Sequence, residues 1–351
     1  MDNCVGVMSV ASYLPSHTIT GEEIARRSGI PSNIVTEKMG IHSKTIPGRG
    51  DHPAQMGIRA AKKALERAGI AASVLDLIIY VGEEYKEYSL WTASIYMQEQ
   101  LGAYGAVAFD MSLRCGTTVL AMDVAKSMMI AKENVSTVLL AGGYRNGDFI
   151  NYKNERSRFM YNLAAGGGAM ILRKNYKRNT LLETVTVTDG SFSTDVIRRA
   201  GGSIARDSTE RSSCHDELDV TNPKEMKKRL EDKSMKNFLY VIHESLQQSG
   251  YAINELDFLA ILHMKRSAHQ YVLQKLGLRD EQSIYLQDIG HVGQFDQFIS
   301  IERALAQKRV KDGDIVCMVS AGIGYAWVAN TIRWGSLDEA RRRLVGNESE
   351  N

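Results

Sequence analysis

One stretch of this chain occurs twice. In AGIAASVLDLIIYVGEE, residues 68–84, Gly69 and Asp76 lead into an unbroken apolar run; in SGYAINELDFLAILHMK, residues 249–265, Gly250 and Asp257 stand 181 positions further on and lead into another. Each follows a stretch with helical spacing, PAQMGIRAAKKALERAG in the first case and MKNFLYVIHESLQQSG in the second. VLLAGG at 138–143 and MVSAGI at 318–323 form a second pair, offset by 180. Two independent pairs at nearly one offset imply internal duplication. Short apolar runs without alternation, separated by helical patterns, are the mark of parallel strands buried on both faces. The expectation is two similar α/β halves, residues 1–175 and 176–351, stacked on each other.

A chain of 351 residues is long enough for two such halves. With 43 Lys and Arg against 41 Asp and Glu it carries a net charge of +2, which leaves no footprint for nucleic acid or a membrane surface. Cys4, Cys115, Cys214 and Cys317 lie far apart with no CxxC pair, so neither a closely spaced metal site nor a disulfide framework is expected, and a reducing, cytoplasmic setting is. MDNCVGVMSVASYL has no basic leader before its strand-like pattern, and no run approaches the ~20 apolar residues that span a bilayer. The polar end VGNESEN reads as a loose tail.

Ligands of open α/β sheets gather beyond the carboxyl ends of strands, beside helix N-termini. FDMSLRCGTTVLAMDVAKSMM, residues 109–129, reads as a buried strand giving way to a small-residue helix, with Cys115 at the junction. A helix N-terminus favours a thiolate, and Gly116, Thr117 and Thr118 leave room for a carbonyl, so Cys115 reads as a nucleophile and not as a small core residue. In the second half His263 ends the run FLAIL, and His291 lies in DIGHVGQFDQF before the matching helix; Glu83 and Glu84 end the equivalent run of the first half. Glu84, Cys115, His263 and His291 thus share one kind of position around a pseudo-twofold axis. His17, His42, His52, His215, His243 and His269 fall in polar or helical surroundings and read as solvent-facing. NLAAGGGAMIL, residues 162–172, lacks the spacing of a phosphate-binding loop and reads as close strand packing. VSAGIGYAWVANTI, residues 319–332, turns on Gly322 and Gly324, a bend able to aim the Ile323 N–H at an oxyanion.

Taken in order, VTEKMGIHSKTI, FDMSLRCGTT, LAAGGGAMIL, LDFLAILH, GHVGQFDQFISIERAL and SAGIGYAW resemble the thiolase-fold condensing enzymes, most closely the ketoacyl-acyl-carrier-protein synthase III group, over nearly the whole chain. The resemblance implies a five-layered αβαβα fold, a homodimer, and no cofactor beyond a coenzyme A thioester used as substrate. It implies transfer of an acyl group from acyl-CoA to Cys115 and condensation with malonyl-CoA or malonyl-acyl carrier protein. His263 matches the first histidine of the group, and the N–H groups of Cys115 and Ile323 are the implied oxyanion donors. Lys38, Lys265, Arg266 and Gly324 are placed at the substrate, and Leu90 in the acyl pocket of a partner subunit.

The departures bear on substrate and mechanism. His291 stands where synthase III enzymes carry Asn, so Cys115, His263 and His291 form the set used by the elongating synthases. HMKR replaces HQAN, Asn33 stands at the place of an adenine-stacking Trp, and Lys38 near that of an Arg. Glu84 lies 31 residues before Cys115, about where hydroxymethylglutaryl-CoA synthases hold their acid/base. Two carbanion routes follow. Malonyl decarboxylation, the preferred one, needs neutral His263 and His291 to hydrogen-bond the thioester oxygen; α-proton removal needs Glu84 as base. Acyl transfer to an alcohol, amine or thiol is the remaining alternative.

Overall fold

Residues 4–207 and 216–336 are described by the computed structural model; Cys214, His215 and the tail VGNESEN lie outside the described residues. The chain runs β1 (Val5–Tyr13), β2 (His17–Thr20), α1 (Gly21–Ser28), β3 (Ser43–Ile46), α2 (Pro53–Ala68), β4 (Leu77–Val81), α3 (Ala93–Leu101), β5 (Val107–Met111), α4 (Thr117–Ala131), β6 (Thr137–Tyr144) and β7 (Gly166–Lys174). It continues through β8 (Arg178–Thr188), β9 (Val196–Arg198), α5 (Ser203–Asp207), β10 (Leu218–Val220), α6 (Pro223–Gln248), β11 (Phe258–Ile261), α7 (Arg266–Leu276), α8 (Asp296–Ala306), β12 (Ile315–Gly322) and β13 (Ala326–Ser336).

The strand order β11-β12-β13-β8-β1-β7-β6-β4-β5 contains two runs of like topology, joined where Gly6 of β1 meets Thr180 of β8. β4 is parallel to β6 and β11 parallel to β12, whereas β7 and β13 return antiparallel. The repeated sequence has a structural cause. Gly69 and Gly250, at φ of 64° and 84°, end α2 and follow α6, where a side chain would be strained. Asp76 accepts from the N–H groups of Ser136 and Thr137 at 2.8 and 2.9 Å, and Asp257 accepts from Ile315 N–H at 2.8 Å. Each aspartate thus pins the start of the neighbouring parallel strand. Leu77 pairs with Val138 and Phe258 with Val316, so β6 and β12 are 178 residues apart. The match of VLLAGG with MVSAGI is therefore two residues out of structural register, an even slip that preserves which face each side chain takes.

α2 packs on β1, β6 and β7, and α6 on β8, β12 and β13. α4 touches β4, β6 and β7 on one side and β8, β12 and β13 on the other, and α8 likewise lies between β1 and β11. Five layers result, with α4 and α8 in the middle. The glycines of NLAAGGGAMIL serve close packing: a Cβ on Gly167 would come within 2.7 Å of the Met56 backbone in α2 and 3.0 Å of Gly142 O on the neighbouring strand. The segment FDMSL differs from expectation. β5 is the outer strand of its run and only partly buried, with Val107 exposed. An apolar edge strand carries the same composition as a central one, so composition alone implies an interior strand here.

Candidate active site

Cys115 sits in the turn between β5 and the first residue of α4, so the N-terminal end of that helix faces its loop. The turn is tightly built. Arg114 takes φ 51°, unusual for a side-chain-bearing residue. Thr117 Oγ1 accepts from Leu113 N–H and donates to Arg114 O, both at 2.6 Å, and Ser320 Oγ donates to Cys115 O at 2.6 Å. Gly322 lets the β12–β13 turn press on this loop, since a Cβ there would be 2.6 Å from Leu113 O and 3.3 Å from Cys115 N. Ile323, half-buried, and Gly324, at φ 127°, follow in the same turn.

His291 faces the cysteine, its Nε2 3.2 Å from Cys115 Sγ. On its other side Nδ1 lies 2.5 Å from Asp296 Oδ2, a carboxylate with no exposure at all. That carboxylate also accepts the backbone N–H groups of His263 and Val292, each at 2.7 Å. Burial opposes a charge on His291, but Asp296 and the Cys115 sulfur outweigh it and push its pKa well above the usual histidine range. His263 is the opposite case. Both its ring nitrogens are buried without a hydrogen-bond partner among the described residues, and burial drives its pKa down to about 3. The two histidines are therefore in opposite surroundings: burial depresses His263, whereas Asp296 and the Cys115 sulfur favour a proton on His291. Asp296 escaped the sequence reading, although it stands in the quoted motif; an aspartate at a helix start reads first as a dipole partner.

The second run's histidine is fixed by the first run's backbone. His291 N–H donates to Asn162 O and His291 O accepts from Ala164 N–H, both at 2.8 Å. Lys44, fully buried and with a pKa lowered by that burial to about 7, donates from Nζ to the intervening Leu163 O at 2.5 Å.

Glu84 is the clearest departure. Its side chain is 67% exposed and pairs with Arg114, whereas Glu83 beside it is 3% exposed and accepts from the same guanidinium at 2.9 Å. Burial raises the Glu83 pKa. The carboxylate turned inward is therefore Glu83, and Glu84 lies on the outside. His269 is likewise corrected from solvent-facing to buried, its pKa lowered by burial to about 4.

Lys38, Lys265 and Arg266 do come together. They line one cleft of about 620 Å³ between the Ile34–Lys38 turn and the start of α7, joined by Arg158, which no motif had marked. Leu90 is fully exposed at φ 53°, near the exposed Tyr88 and Ile95 in sequence. Among the described residues no His, Cys, Asp and Glu cluster suited to a metal is found, and no helix is long and apolar enough to cross a membrane.

Two family models match the chain: 3-oxoacyl-[acyl-carrier-protein (ACP)] synthase III over residues 109–190, and 3-oxoacyl-[acyl-carrier-protein (ACP)] synthase III C terminal over residues 246–334. The beta-ketoacyl-[acyl-carrier-protein] synthase III of Clostridium tetani is 25% identical, over 94% of this chain and 98% of its own. The solved 3-oxoacyl-[acyl-carrier-protein] synthase III from Aquifex aeolicus superposes with a TM-score of 0.81 at 20% identity, over 94% of this chain and all 100% of that one. A variant of OleA from Xanthomonas campestris, solved with lauric acid and lauroyl-CoA, gives 0.81 at 18% identity, over 95% and 100%. These structural likenesses establish the thiolase-like fold.

Proposed function

We propose that this chain, like the synthase III proteins it matches, is a thiolase-fold condensing enzyme of the ketoacyl-acyl-carrier-protein synthase III type, which loads an acyl group from acyl-CoA onto Cys115 and condenses it with a malonyl thioester carried by coenzyme A or acyl carrier protein. The observation that carries the proposal is the Sγ–Nε2 contact of 3.2 Å at the foot of α4, backed by the buried Asp296. Sγ attacks the thioester carbon and the carbonyl electron pair moves to oxygen, where the N–H groups of Cys115 and Ile323 are the proposed donors. Collapse breaks the bond to the coenzyme sulfur, which leaves with the proton of His291 Nε2. In the second half-reaction the C–CO₂ bond of the malonyl group breaks and CO₂ departs. The electron pair is held as an enolate whose oxygen accepts an N–H from neutral His263. The enolate carbon then attacks the Cys115 thioester and Sγ leaves as thiolate, and His291 Nε2 takes up one proton from water to close the cycle.

No further cofactor is needed, because decarboxylation itself supplies the carbanion. Lys38, Arg158, Lys265 and Arg266 suit the phosphates of coenzyme A or the acidic surface of a carrier. The exposed position of Glu84 speaks against Glu84 as an α-proton base, so that route would fall to the inward-turned Glu83. A homodimer is part of the proposal: β5 offers an unpaired edge with Val107 exposed, and Leu90 projects fully from the surface, as a residue reaching into a partner's acyl pocket would. The free thiols Cys4, Cys115 and Cys317 fit a reducing, cytoplasmic setting. The test is intact mass after exposure to a panel of acyl-CoAs and then to malonyl-CoA or malonyl-carrier protein. A stable acyl adduct on Cys115, discharged by the malonyl donor as a ketoacyl product, is expected; loading of the Cys115→Ala variant would overturn the assignment.

A further inference from the structure

A second cleft, of about 230 Å³, shares the first turns of α7 with the basic cleft, since Arg266 and Gln270 line both. Three guanidiniums from separate segments meet in it: Arg266 from α7, Arg303 from the last turn of α8, and Arg309 beyond that helix. Against them stands one carboxylate, Asp280. Among the described residues none of the three arginines forms an ion pair with a carboxylate. Arg309 donates to Ser283 O at 3.1 Å, and the Arg266 guanidinium lies over the Tyr285 ring at 5.4 Å, so two of the three are held in place without being neutralised. Buried His269 lines the cleft as well, and no protein hydrogen bond occupies its ring among the described residues.

An excess of fork-shaped cations around a small polar hollow calls for an oxyanion with several acceptor oxygens. The volume is below the ~300–1,000 Å³ of sites for drug-sized ligands, which suits one or two phosphoryl groups. We propose that this cleft binds a phosphate-type dianion, held by Arg266, Arg303 and Arg309 with His269 donating at the site. It is separate from Cys115 and from the chemistry proposed there. The phosphate could come from two sources: a free inorganic anion, or the 3′-phosphate of coenzyme A reaching across from the adjoining cleft. The second source rests on the function proposed above; the site does not.

The experiment titrates inorganic pyrophosphate into the full chain by calorimetry, for wild type and for an Arg303→Gln, Arg309→Gln double variant whose folding is checked by thermal melting without anion. Binding to wild type, weakened about tenfold or more in the variant, is expected from the loss of two charged donors. Asp280→Asn removes the repelling carboxylate and should tighten binding severalfold, which keeps the test open if the double variant does not fold. In a second arm coenzyme A is compared with 3′-dephospho-coenzyme A. A loss in the double variant for coenzyme A alone assigns the site to the coenzyme; a loss for pyrophosphate with coenzyme A unaffected assigns it to a free anion. Pyrophosphate binding that is equal in wild type and all variants, or absent at millimolar concentration, overturns the proposal where coenzyme A affinity is also unchanged in the double variant. Failure of Cys115 to load would leave the pyrophosphate titration unaffected, so the two readings fail separately.

Discussion

Replacing Asp296 by Asn is the sharpest perturbation of the proposed mechanism. The carboxylate accepts three N–H groups, from His291 Nδ1 at 2.5 Å and from the His263 and Val292 backbones at 2.7 Å, and it is wholly buried. An amide of the same size offers one accepting oxygen, so its NH₂ must face at least one of these donors. One charge-assisted bond is lost (~1.5–3 kcal/mol) and one buried donor is left unpaired (~1–3 kcal/mol), a destabilisation of about 3 kcal/mol or more. His291 also loses what raises its pKa. A histidine with a raised folded-state pKa contributes stability that is full below its ordinary value of 6.5 and fades as pH rises through the folded value. The wild-type advantage should therefore be largest on the acid side and narrow with rising pH. Loading of Cys115 should slow by about 10²–10⁴, because the ring loses both its orientation and its proton. The assay is the rate of acyl adduct formation by intact mass between about pH 6 and 9, alongside melting curves at the same pH values. An Asp296→Asn protein that is folded and loads within a few-fold of wild type would refute the arrangement of Asp296, His291 and Cys115 as a working unit.

Cys115→Ala should fold normally and carry no acyl group after incubation with acyl-CoA. Glu84→Gln should leave loading and condensation within a few-fold, since the side chain is 67% exposed; intact loading with condensation reduced about 10²-fold or more would reinstate α-proton removal. Lys38→Ala with Arg158→Ala should raise KM for acyl-CoA about tenfold or more with kcat little changed, an effect that shrinks with added salt; an unchanged KM would move the coenzyme elsewhere. His263 and His269, lowered to about 3 and about 4, bind their protons more weakly folded than unfolded. Stability should therefore fall as pH drops below about 6.5, by up to ~1.4 kcal/mol per pH unit for each histidine, and His263→Asn should flatten that slope in urea titrations.

Much of the site was legible because its residues close strands or open helices, positions that the repeated pattern marks. Cys115, His263 and His291 were placed in that way. Glu83 and Glu84 could not be told apart: Leu77–Val81 is buried on both faces, so no alternation survives to show which neighbour turns inward. His269, in contrast, was readable. It falls at helical spacing with Val272, Leu273 and Leu276, all buried, and its polarity masked its place in that stripe. Arg158 was beyond reach, because the cleft joins segments more than a hundred residues apart and only the fold brings them together. The edge position of β5 was equally hidden, since composition reports how apolar a strand is and not which neighbours it has.

Cys115 belongs to the turn before α4, whereas His291 belongs to the second run of strands and is stitched by its own backbone to Asn162 and Ala164. The sulfur–nitrogen contact of 3.2 Å therefore spans the seam between the runs, and it works as a spacing gauge. A slip of about 1 Å along that seam would break the contact while every strand kept its ladder, and misplacement on this scale can cost about 10²-fold in rate. In a denaturant series, acyl loading should then vanish before the helical signal does. The interval between those two midpoints would measure how stiffly the halves are joined, with the backbone bonds of His291 to Asn162 and Ala164 setting part of that stiffness.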